Sequence, residues 1–135
     1  MACESHQTMS VVDAVAQFHA AFRLPMRQLP STDIDPALAS LRIALLEEEV
    51  GEFGDAAKKG DLIGIADALA DIVYVAYGTP LTYGIDLDSV LEEVHRSNMS
   101  KLDAGGRPLI RRGAALLRSS CRAAWGRYRA SEHRW

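Results

Sequence analysis

Glu48, Glu49 and Glu52, followed by Asp67 and Asp71, have the residue types and spacings that hold a hard divalent cation. Carboxylate oxygens from two elements, with coordination positions left open, suit Mg²⁺ or Mn²⁺ and not a closed zinc site. Glu48 and Glu52 are four residues apart, as are Asp67 and Asp71, so at ~100° per residue each pair shares one face of a helix. Nearly every other residue between Leu62 and Ala76 is apolar. Two like charges on such a face repel, and burying them is costly unless something cationic lies between them. Glu49, one residue off the main stripe, is the candidate to orient or deprotonate a water. Two blander accounts compete: a solvated glutamate run, and aspartates bonded to backbone, Arg42 or Arg96.

A second cluster, His95, Arg96, Asn98 and Lys101, gathers cationic and amide donors within two turns. Donors of this kind clamp phosphate oxygens, although cations at a helix C-terminus also complement its dipole without any ligand.

The elements that must position these groups are helices. Ser10 is expected to cap a first helix of about thirteen residues, carrying Val15, Phe18 and Phe22 at helical spacing. The proline-rich stretch from Leu24 to Pro36 reads as a long surface connection. Asp35 and Pro36 open a second helix that Gly60 stops after Lys59, with Leu38, Leu41, Leu45, Glu48 and Glu52 on its buried stripe. Asp61 opens a third, apolar on every side apart from its acids and tyrosines, and therefore expected as the core helix, ending near Tyr77 because of Pro80. Asp86 or Asp88 caps a fourth, through Val90 to Met99. Four helices without a strand pattern predict an all-α, four-helix-bundle-like fold. The expected organisation is a disordered start over 1–9, a helical domain over 10–108 and an arginine-rich tail over 109–135.

Bulk properties agree with one soluble domain. The chain has 135 residues, 48% hydrophobic and 24% charged, with a net charge of -3. Residues 1–110 hold 17 acids and 8 bases, while residues 111–135 hold one acid and seven arginines. An acidic body argues against specific nucleic-acid binding. No export signal or membrane span is read, the longest apolar run falling short of the ~20 residues required. Two cysteines, one near each end, support neither a disulfide framework nor a zinc site, so a reducing cytoplasm is expected.

Glu48-Glu49-Val50-Gly51-Glu52, then Asp71, then Asn98 and Lys101, resemble the all-alpha NTP pyrophosphohydrolase superfamily, which includes MazG-like and phosphoribosyl-ATP pyrophosphohydrolase-like proteins, over residues 11–108. That family pairs E-E-x-x-E with E-x-x-D; here the second glutamate falls on Ala68, and Asp67 stands nearest. The resemblance implies hydrolysis of a nucleoside triphosphate to monophosphate and pyrophosphate, with Mg²⁺ or Mn²⁺ held by Glu48, Glu49, Glu52 and Asp71, and by Asp67 in place of the missing glutamate. It implies phosphate contacts from Asn98, Lys101, Arg96 and His95, and a base pocket involving His19 and Tyr74. It also implies a homodimer or homotetramer. The tail matches no such relative and reads as a divergent or frame-shifted end, or as an arginine-rich amphipathic helix.

Two other readings remain at this point. A helical oligomerisation module would use the acids for a structural ion or a partner's bases. A di-iron carboxylate bundle would need two E-x-x-H motifs, and only Glu92-x-x-His95 is present.

Overall fold

Each helix begins where a short polar side chain takes up a backbone N–H that has no partner of its own. A computed structural model describes residues 9–107, and the readings for 1–8 and for the tail lie outside the described residues. Ser10 Oγ accepts from Asp13 N at 3.2 Å to start α1 (Val11–Ala21). Asp35 accepts from Ala37 N at 2.8 Å to start α2 (Pro36–Lys59). Asp61 accepts from Gly64 N at 3.1 Å for α3 (Leu62–Tyr83), and Asp86 from Ser89 N at 3.2 Å for α4 (Leu87–Met99). Caps of this kind stabilise a helix start by ~1 kcal/mol. The fold is all-α, with four helices among the described residues.

The chain divides into two units. The first, ending at Ile85, holds α1, α2 and α3; the second, from Asp86, holds α4. Within the first unit α3 packs along α2 and against α1. Its fully buried side chains are few, with Val15 and Thr82 each at 1% exposure.

Two expectations about α3 are corrected. It does not end near Tyr77 but runs through Pro80 to Tyr83, where Gly84 closes it at φ 72°. Proline removes one ladder hydrogen bond and crowds the preceding turn, yet side-chain donors from α2 and from α3 itself brace that turn. Arg42 Nη2 donates to Val75 O at 2.7 Å, and Thr79 Oγ1 donates to the same carbonyl at 3.0 Å. The proline-rich connection secures the end of the helix: Arg27 N donates to Leu81 O at 2.9 Å and Ser31 N to Tyr83 O at 3.0 Å. These bonds satisfy carbonyls that a helix end leaves without partners.

Nor is α3 a core helix covered on all sides. Ile63 is 83% and Leu62 77% exposed, and Leu69 and Val73 are also exposed. Its apolar character is uniform while only α1 and α2 of its own unit cover it. By length and composition alone α3 is apolar enough to cross a bilayer, contrary to the reading of short apolar runs. Asp67 and Asp71 fall within it, and carboxylates at such depth are rare and costly.

Candidate active site

Two contacts define how α2 lies on α3. Arg42 reaches Gly78, where an added Cβ would stand 2.6 Å from Nη2. Ala56 meets Gly64, where an added Cβ would lie 3.1 Å from the Ala56 Cβ. Between them, Glu49 and Asp71 are close enough to act on one another electrostatically. Positions 42 and 56 on α2 therefore meet 78 and 64 on α3, and 49 and 71 lie midway between them, in steps of seven along antiparallel helices. Seven residues are close to two turns, so this repeat keeps one seam in contact.

That seam corrects the expected stripe. Arg42 and Ala56 are buried and Glu49 half-buried, whereas Leu41, Glu48 and Glu52 are exposed. The contact face of α2 is thus turned by about one residue, ~100°, from the one that Leu41, Glu48 and Glu52 suggest. Glu49 lies in the seam; Glu48 and Glu52 flank it. Asp67 and Asp71, expected as buried, are exposed because nothing else in their unit covers that face.

Among the described residues no base compensates the charge of the cluster. Partial burial, then Asp71, Glu52, Glu48 and Asp67, hold the Glu49 carboxyl above the usual carboxylate range. Among the described residues, none of these five acids is in an ion pair; the pairs are Lys58 with Asp55, Arg96 with Glu93 and Arg107 with Asp103. The two bases expected as alternative partners of the aspartates are engaged elsewhere. Arg42 bonds to Val75 O and Thr79 Oγ1, and Arg96 makes two bonds to Glu93, at 3.1 and 2.7 Å. Among the described residues no three acidic, histidine or cysteine side chains are drawn close enough to enclose an ion. The donor set nonetheless fits a hard cation: oxygen ligands only, exposed on one side, with repulsion that a positive charge relieves.

Beside the carboxylates stands an aromatic group. Tyr74 is one turn beyond Asp71 on α3, and its ring meets Phe18 edge-on at 5.7 Å. Phe18 stacks in turn on Phe22 at 4.4 Å. All three rings are partly open to solvent. His19, expected in a pocket, is instead 3% exposed, its Nε2 directed at Gly78 and its Nδ1 buried without a hydrogen-bond partner. Burial, then the Arg42 charge, lowers its pKa against the opposing effect of the Pro25 carbonyl.

In the second unit, Asn98 Oδ1 accepts from Lys101 Nζ at 2.9 Å, and His95 and Arg96 are exposed. The Arg96 guanidinium is held above its usual pKa by its bonds to Glu93. Glu92 and His95, the lone E-x-x-H, are both exposed.

The sequence profile of phosphoribosyl-ATP pyrophosphohydrolase matches residues 15–98. The chain belongs to that family. The phosphoribosyl-ATP pyrophosphohydrolase family falls within the all-alpha NTP pyrophosphohydrolase superfamily and points to activity of the pyrophosphohydrolase type. The matched region includes Phe18, all five carboxylates, Tyr74 and Asn98, and ends before Lys101. An uncharacterized protein of Acanthamoeba polyphaga mimivirus, L479, is 35% identical over 106 residues, covering 76% of this chain. The chain spans 40% of the length of that relative.

Sequence reasoning overlooked Arg42 as a buried group and Gly64 and Gly78 as contact points. The signal was present as the seven-residue spacing of Arg42, Glu49 and Ala56, mirrored by Gly64, Asp71 and Gly78.

Proposed function

We propose that this chain is a Mg²⁺-dependent nucleoside triphosphate pyrophosphohydrolase, releasing nucleoside monophosphate and pyrophosphate, with a housekeeping role in the cytoplasmic nucleotide pool. The observation that carries this reading is the half-buried Glu49, set opposite Asp71 among carboxylates that no base of the described chain neutralises.

Glu48, Glu49, Glu52 and Asp71, with Asp67, would hold one or more Mg²⁺ or Mn²⁺ ions. Such an ion supplies neutralisation of phosphate charge and a lowered pKa for bound water. Glu49 would orient the attacking water and accept its proton. The water oxygen forms a bond to the α-phosphorus, the bond from that phosphorus to the bridging oxygen breaks, and pyrophosphate leaves. Phe18, Phe22 and Tyr74 offer exposed π-faces and edges against which a base can pack. Asn98, Lys101, Arg96 and His95 are the proposed phosphate donors. The uncovered apolar residues of α2 and α3 support assembly into a homodimer or homotetramer.

A nucleotide panel with Mg²⁺ or Mn²⁺, read out separately as pyrophosphate and phosphate, tests reaction type and substrate together. Pyrophosphate release that requires the cation is expected. Release of phosphate alone, or no release with any nucleotide, would reject the assignment.

A further inference from the structure

Arg42 is buried to 8% exposure, yet among the described residues no carboxylate pairs with it. A buried cation normally finds an anion or a full set of acceptors. Burial pulls its guanidinium below the usual pKa, which still leaves it charged. It spends that charge on one turn of α3: Nη2 donates to Val75 O at 2.7 Å and Nε to Thr79 Oγ1 at 3.2 Å, while Thr79 Oγ1 donates to Val75 O at 3.0 Å. This is the turn that leads into Pro80, whose missing N–H leaves Ala76 O without its helical donor.

The guanidinium lies where residue 78 has no side chain. An added Cβ there would meet Arg42 Nη2 at 2.6 Å and His19 Nε2 at 2.8 Å. Three helices therefore converge on a single residue. From this point Glu49 is one seven-residue step along α2 and Asp71 one such step along α3, ~10 Å at 1.5 Å per residue. At the other end of the seam Ala56 and Gly64 are small and apolar, and contacts of that kind are non-directional. They allow close approach but do not oppose sliding or rotation. The hydrogen bonds of Arg42 are directional and do.

We propose that Arg42 is a positioning residue: it latches the proline-interrupted turn of α3 to α2 and thereby sets the register that brings Glu49 opposite Asp71. The part of this proposal that concerns the cation rests on the pyrophosphohydrolase reading above; the latch itself does not.

The test uses the full chain and the variants Arg42→Met, Arg42→Lys, Pro80→Ala and Arg42→Met/Pro80→Ala. Amide hydrogen exchange along α3 is followed without any cation, and Mn²⁺ affinity is measured by calorimetry. Arg42→Met is expected to speed exchange around Val75–Tyr83 and to weaken Mn²⁺ binding roughly 10- to 100-fold, the range seen when a ligand's outer support is removed. Arg42→Lys, retaining one donor for Val75 O, is expected to lie between. Restoring the N–H with Pro80→Ala is expected to shrink the exchange effect of Arg42→Met, which a generic packing role would leave additive.

A folded Arg42→Met protein with unaltered exchange and unaltered Mn²⁺ affinity would overturn the latch, as would additive effects of the two substitutions on exchange. Should Arg42→Met not fold, Arg42→Lys decides: faster exchange in a folded protein supports the latch and native exchange rejects it. An unaltered protein that binds no Mn²⁺ removes the pyrophosphohydrolase reading and the cation part of the proposal, and exchange then judges the latch by itself.

Discussion

The surroundings of Glu49 and His19 alter their acid–base behaviour in opposite directions. For Glu49 the raised pKa means that the folded state binds more protons than the unfolded one above the ordinary glutamate value of 4.5. Stability from this group is therefore present at low pH and lost as pH rises through its folded pKa. Glu49→Gln is expected to raise the melting temperature without cation at neutral pH, to abolish any rise caused by Mg²⁺, and to lower pyrophosphate release by about 100-fold or more. A melting series with and without Mg²⁺, beside the release assay, checks all three. For His19 the lowered pKa means that the unfolded state binds the extra proton below 6.5. Its contribution is full above that value and declines as pH falls from 6.5 through the folded pKa. Urea titrations of the native chain and of His19→Gln across this window are expected to differ in slope, with the native chain losing more stability on acidification.

Between α2 and α3, small residues decide what the acidic ones can do. Gly64 and Ala56 bring the backbones together at one end, and Gly78 admits Arg42 and His19 at the other. Gly78→Ala places a methyl group against both buried side chains, and overpacking of this kind costs about 1–3 kcal/mol. A chemical denaturation midpoint lowered without loss of helical dichroism is the expected outcome. Gly84 is more demanding: it sits at φ 72° and its Cβ position is occupied by Leu29 O. Gly84→Ala should therefore strain both the end of α3 and the proline-rich connection that crosses it. Proteolysis within residues 24–35 is expected to accelerate in that variant, and an unchanged cleavage rate would argue that the connection is held by other means.

At the scale of the whole molecule, large apolar side chains stand open to solvent among the described residues. Ile63, Leu62 and Ile43 are more than half exposed, on α3 and α2. Surfaces of this kind are ordinarily covered by another protein surface, and a second copy is the partner proposed above. Ile63→Glu is expected to shift the protein toward monomer in light scattering coupled to size exclusion. Retention of the native mass would place the contact elsewhere.

Much of this was legible in the residues alone. Helix starts at Ser10, Asp35 and Asp61, a fourth at Asp86 or Asp88, the stop at Gly60 and the clustering of acids on two consecutive helices follow from caps, left-handed glycines and spacing, all of which act within a few residues. Three matters were decided by the tertiary structure. α3 continues past Pro80 because donors arrive from α2 and from the connection over residues 24–35, and neither is adjacent in sequence. Glu49 rather than Glu48 enters the seam because the face of α2 that packs is chosen by the fit of Arg42 and Ala56 to two glycines on α3. His19 is buried because α1 closes over that same junction. Local propensity places helices, but rotation about a helix axis costs no backbone hydrogen bonds, so only the partner surface selects which side chains meet.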